Sequence, residues 1–229
     1  AAMMEGIAAG IDQAAAELGV TGRIILTCVR HLGPDEAVKT ARLLTDEPHP
    51  YVIGFGMGGD ENAHEPKDFL PAYRIAADAG FPCTVHAGEV RGPESVWNAI
   101  DDLPVQRIGH GVRAIEDAAL VEELAQKGIH LEVCPGSNLA LGVFSTYLDH
   151  PLVKLRDAGV PVSLNSDDPP FFQTSIGREY RTAASEFGQD SRQLLAFTRM
   201  ALEAAFCAEE IKTSLLADLA AAERELTDI

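Results

Sequence analysis

Four stretches of this chain close a helix at glycine and begin a short apolar strand two or three residues later. They read A-E-L-G-V-T-G-R-I-I-L from Ala16, D-A-G-F-P-C-T-V from Asp78, Q-K-G-I-H-L-E-V from Gln126 and D-A-G-V-P-V-S-L from Asp157. Glycine suits the left-handed residue that ends a helix. Short runs rich in branched apolar residues suit strands covered on both faces. Six such strands are expected, at residues 23–29, 51–55, 83–86, 107–110, 130–134 and 161–164. Helical patterns fall between them at 34–44, 66–79, 93–101, 115–126 and 150–158, with another at 3–18. Alternating strand and helix predicts an α/β fold with a parallel sheet and crossover helices. No Gly-x-Gly-x-x-Gly follows the first strand and no P-loop is present, so the signature of a nucleotide-phosphate fold is missing.

Polar residues collect where these strands stop. His86, Glu89, His110, Ser137, Asn138, Asp167 and Asp168 all lie at or just past a strand's C-terminal end. In a (βα) barrel those ends converge on one face, and that face carries the chemistry. The sixth strand ends in Asp167-Asp168, and Pro169-Pro170 follow and are expected to bar a simple continuation as strand or helix. Asp-Asp-Pro is also common in a solvated turn. A histidine at a strand end is more often a structural group bonded to backbone, and that reading is kept for His49, His64, His130 and His150. For His86 and His110 the neighbours are small: Ala87 and Gly88 separate His86 from Glu89, and glycines flank His110. Imidazole and carboxylate are favoured zinc ligands, and zinc makes water a nucleophile near neutral pH. Glu and His are suited to the accompanying proton transfers.

The formal net charge of −17 argues against nucleic acid and acidic membrane surfaces as partners, because the long-range field repels both. A small nucleoside or nucleobase is not excluded. Cys28, Cys83, Cys134 and Cys207 sit singly in apolar surroundings with no C-x-x-C pair, as expected of reduced thiols in a cytoplasmic protein. The length of 229 residues fits one barrel domain over 1–229, with 175–229 as its helical C-terminal segment.

The motifs T-V-H-A-G-E, R-I-G-H-G, L-E-V-C-P-G-S-N and S-L-N-S-D-D-P, in this order, resemble the adenosine deaminase family of the zinc amidohydrolase superfamily. I-L-T-C-V-R-H and G-F-G-M-G-G-D-E resemble that family's third and fourth strand ends, so the likeness runs from about Arg23 to Phe206. The resemblance implies a TIM (βα)8 barrel and hydrolytic deamination of a purine by zinc-activated water, one zinc ion per complete site. It implies His86 and Asp167 as zinc ligands and Glu89 as proton donor to the purine ring. It implies that His110 orients or deprotonates the zinc-bound water. Asp168 is implied to face both purine and attacking hydroxyl, and Gly59 to offer a backbone contact to the ring. The expected substrate is adenosine, with 2'-deoxyadenosine as a second, giving inosine and ammonia. Adenine deamination by the same superfamily is the alternative, and an inert purine-binding or partner-binding domain is a third.

The family's first strand supplies two more zinc histidines as H-x-H, and no H-x-H occurs among the seven histidines here. The first strand matches the family's third. The expectation is therefore an incomplete barrel of about six of eight strands, lacking strands 1 and 2 and belonging to a longer enzyme. Two ligands are fewer than the three that a catalytic zinc takes from protein. Gly56 stands where the family often has an acid, which bears on the choice between adenosine and adenine.

Overall fold

The computed structural model describes residues 2–226. Among them are six strands: β1 (Ile24–Val29), β2 (Val52–Gly58), β3 (Thr84–Ala87), β4 (Arg107–His110), β5 (His130–Val133) and β6 (Val162–Leu164). Every pairing is parallel and the strands follow sequence order. β1 pairs with β2, and β3 through β6 form a second run, joined to the first by a bridge between Phe55 and Cys83. This is an incomplete (βα) barrel with six strands.

The helices lie close to the expected places because local signals mark their ends. Pro34 and Pro93 open the helices Pro34–Asp46 and Pro93–Asp102, where a missing N–H costs nothing. Asp117 caps Ala118–Lys127 by accepting from the N–H groups of Ala119 and Leu120. Gly128, at φ 65°, ends it. The helix expected from residue 115 is thus split, with a 3-10 turn at Val112–Glu116 ahead of the Asp117 cap. Residues 66–79 divide likewise into a 3-10 turn, Pro66–Phe69, and a helix, Leu70–Asp78.

Two expectations at the strand ends are corrected. Pro169-Pro170 do not stop the chain from coiling: they open a one-turn helix, Pro169–Phe172. Proline is accommodated in a first turn, whose N–H groups have no helical partner. C-P-G-S-N also forms a short helix, Pro135–Ala140, where the sequence pattern predicts only a strand to residue 134.

The strands alternate in side-chain direction. Val85, Ile108, Leu131, Val133, Val162 and Leu164 are buried against the helices. The opposite, inward face is polar. Thr84 donates to Glu132 at 2.9 Å, Arg107 pairs with Glu132 at 2.8 Å, and His130 bonds Ser163 at 2.7 Å. His130 is therefore a buried structural histidine, held by the Ser163 hydroxyl where a backbone partner is expected. Arg107 also donates to the carbonyl of Ala204 and lies 3.6 Å from the ring centre of Phe206. The segment after the helix Ser191–Glu203 thus covers the N-terminal ends of the strands, opposite the end that carries the site.

Candidate active site

Register places the residues of the site. β3 and β4 pair His86 with Gly109 and Ala87 with His110, and β4 and β5 pair Gly109 with Glu132. Gly109 therefore lies between two large inward side chains. A Cβ there would meet His86 Nδ1 at 2.8 Å. Gly58 borders the same ring from β2, where a Cβ would stand 3.6 Å from it. The glycine before His110 thus makes room for His86 rather than exposing His110.

His86, His110 and Asp167 line one small cavity of about 180 Å³ at the C-terminal ends of the strands, with Gly109, Glu132, Cys134 and Asn165. The two imidazole rings lie 5.0 Å apart, edge to face. His110 Nε2 is 3.6 Å from Glu89 and 3.9 Å from Asp167. His110 and Asp167 both hold left-handed backbone, at φ 62° and 53°. Non-glycine residues seldom adopt that conformation, and such strain gathers at functional sites. Four of the expected residues, His86, Glu89, His110 and Asp167, are thereby brought together. Asp168 is exposed beside them, at the start of the Pro169–Phe172 helix. Gly59 is exposed at the end of β2 with φ 96°, and a Cβ there would meet His31 Nδ1 at 3.0 Å. Neither joins the cluster around His110. Gly56 lies lower on the sheet, where a Cβ would meet Thr27, Thr84 and Ile25.

The electrostatics are set by burial. Burial, then the charges of Asp167 and Glu61, push the Glu89 carboxyl up to about 7. Burial and the neighbouring His86 lower His110 to about 3. The 3.6 Å approach is therefore between a neutral imidazole and a carboxyl that keeps its proton near neutrality. Glu89 Oε1 and His86 Nδ1 are both buried without a hydrogen-bond partner. An orphaned imidazole nitrogen on a residue that lines the same cavity as the Asp167 carboxylate suits a cation such as zinc. Donor atoms of His110, Cys134 and Asp167 also lie within 4.8 Å of one another. Burial, then the charges of Asp167 and Glu132, raise the Cys134 thiol well above its usual range.

Sequence reasoning missed the groups that hold this cluster. Glu61 is 3% exposed, and its carboxylate receives the whole loop after β3. It accepts from the N–H groups of Gly88, Glu89 at 3.1 Å, Val90 at 2.8 Å and Arg91 at 3.0 Å, and from the Ser95 hydroxyl at 2.6 Å. Burial raises its pKa, but Ser95 and the N–H groups of Arg91, Val90 and Gly88 more than offset this, and the carboxyl sits below its usual range. Fully buried Arg30 donates to the carbonyls of His86 at 2.5 Å and Glu61 at 3.3 Å. The signal was present in G-G-D-E, an acid behind a strand end, but nothing in the spacing tied it to a loop 27 residues on.

Buried acid and base groups at the ends of β3, β4 and β6 of one parallel sheet define a hydrolase-type site, with a carboxyl poised to give up a proton and a donor set suited to a metal. The adenosine deaminase family profile matches residues 1–222. An adenine deaminase from Sinorhizobium medicae is 50% identical over 218 residues, covering 95% of this chain and 67% of the relative. The crystal structure of adenine deaminase from Arthrobacter aurescens superposes with a TM-score of 0.90 at 27% identity, over 96% of this chain and 67% of that one. An amidohydrolase from Burkholderia ambifaria, solved with bound zinc, superposes at 0.91 and 29% identity, over 98% and 63%. This chain belongs to the adenosine deaminase family. It spans about two thirds of the length of the relatives it matches.

Proposed function

We propose that this site belongs to an adenine deaminase, which hydrolyses the 6-amino group of the free base to give hypoxanthine and ammonia. Adenosine, the substrate first expected from the motifs, gives way to the alternative. The 50% identical relative is named for adenine.

The observation that carries the reading is Glu89. Its carboxyl is buried beside His110 and Asp167 and keeps its proton to about pH 7. That proton is available to a purine ring nitrogen, which makes the adjacent carbon more electrophilic. His110 stands across from Glu89 and positions the attacking water. Asp168, exposed at the mouth, accepts from the purine, and the backbone of Gly59 lies against the ring. His86 and Asp167 would hold zinc, which when bound supplies an acidified water as nucleophile. One ion, shared by these two residues, is proposed per complete site.

The test is a two-substrate assay of the zinc-supplemented protein, with hypoxanthine, inosine and ammonia separated and counted. Adenine turned over in preference to adenosine, with loss on chelation and in Glu89→Gln, is the expected result. Preference for adenosine, or full activity in Glu89→Gln, overturns the reading.

A further inference from the structure

Behind His110 lies a chain of hydrogen bonds in which each partner fixes the next. His110, Asn138 and His150 are 2%, 0% and 3% exposed. They come from the end of β4, the helix Pro135–Ala140 and the turn before the helix Leu152–Asp157. The Leu152 N–H lies 3.2 Å from His150 Nδ1. His150 Nε2 lies 3.1 Å from the Asn138 carboxamide oxygen. The Asn138 amide nitrogen lies 3.3 Å from His110 Nδ1.

A backbone N–H can only donate, so His150 Nδ1 must accept. A neutral imidazole carries one N–H, which then sits on Nε2. It donates to Asn138 and fixes which end of that carboxamide is oxygen. The amide's NH2 therefore faces His110, whose Nδ1 must accept. The His110 proton is left on Nε2, the nitrogen that faces Glu89 and Asp167. Each alternative sets two donors against each other in a buried place, where neither finds an acceptor. His150 has little freedom to escape, since its ring packs edge-on against Phe144 and Phe187 at 5.0 and 5.6 Å.

We infer that Asn138 and His150 are positioning residues that lock His110 as its Nε2–H tautomer, so that it presents a proton rather than a lone pair to the site. Two consequences follow for the site proposed above, on which this inference rests. His110 is a hydrogen-bond donor to the attacking water's oxygen and not the base that deprotonates it. His110 also has no Nε2 lone pair for a metal, which favours His86 with Asp167 over the grouping of His110, Cys134 and Asp167.

The test is a long-range ¹H–¹⁵N correlation spectrum of the metal-free, histidine-labelled chain, which distinguishes a protonated from an unprotonated ring nitrogen at each site. Wild-type protein is expected to show His110 protonated at Nε2 only. Asn138→Asp, which replaces the donor by an acceptor at the same place, is expected to move that proton to Nδ1. His150→Phe, which fills the same aromatic slot, frees the Asn138 amide and is expected to give a mixture of tautomers. Wild-type His110 protonated at Nδ1, or an unchanged tautomer in a folded Asn138→Asp protein, overturns the inference. If that variant does not fold, the wild-type spectrum and His150→Phe still decide. The readout is independent of activity, so failure of the tautomer assignment and failure of the deaminase reading are told apart.

Discussion

Glu61→Gln removes one charge from a buried carboxylate and leaves its shape almost unchanged. Glu61 Oε2 accepts three backbone N–H groups, while Oε1 accepts the Gly88 N–H and the Ser95 hydroxyl. The new amide therefore takes its cheaper orientation, with nitrogen at the Oε1 position, because Ser95 can turn and accept. Gly88 N–H is then left facing a donor, at a cost of roughly 1–3 kcal/mol. The three N–H bonds to Oε2 lose their charge assistance, each worth about 1 kcal/mol more than a neutral bond. Relief from burying a charge offsets part of this, and a net loss of about 2–4 kcal/mol is expected. Urea unfolding at pH 7 measures it. The cost should shrink in acid: the folded pKa is depressed, so the stability Glu61 provides is present above its unfolded pKa and lost as pH falls through the folded one. Because Glu89 is on the held loop, its placement against His110 should fail with the loop. A loss under about 0.5 kcal/mol, the size typical of surface changes, would refute the reasoning, as would a loss that does not shrink with acid.

Three other outcomes are expected. His110, His130 and His150 are held neutral by burial, at about 3, 4 and 3. Below about pH 6.5 the unfolded chain takes up protons that the folded one refuses, so stability falls with acid. Glu89 acts in the opposite sense, since its raised pKa makes the folded state hold a proton between about 4.5 and 7. Glu89→Gln should therefore steepen the dependence of stability on pH by roughly 1.4 kcal/mol per unit in that window, measured by urea unfolding across pH. Gly109→Ala should displace the His86 ring, given the 2.8 Å approach to Nδ1. It should cost about 1–3 kcal/mol and lower zinc affinity, read by calorimetry. Arg30→Met should loosen the end of β3 by removing donors from the His86 and Glu61 carbonyls, at about 2–3 kcal/mol in the same unfolding assay.

Short-range signals were the legible ones. Helix–glycine–strand junctions placed all six strands within a residue or three, because helix stops and apolar runs are local. Strand-end histidines and carboxylates were also readable, and four of them converge. What escaped was fixed by distance in sequence. Glu61 meets residues 27 to 34 positions away, and His150 reaches His110 only through Asn138. His150 was rightly read as bonded to backbone, through the Leu152 N–H, but its second nitrogen could not be traced from spacing. Flanking glycines predict an unshielded His110, whereas register sets Gly109 against His86, which sequence cannot show. The proline pair was misread because rules for chain interiors were applied to a first turn. The choice between adenosine and adenine is not written in the shared acid, base and ligand residues, and the adenine proposal rests on the names of the relatives.

The most direct measurement is an anomalous-difference map at the zinc edge from crystals of the chain soaked with zinc. A single peak about 2.0–2.2 Å from a ring nitrogen of His86 and a carboxylate oxygen of Asp167, with His110 uncoordinated beside it, is the result expected. A peak bound by Cys134 and His110, or by surface carboxylates alone, would contradict it.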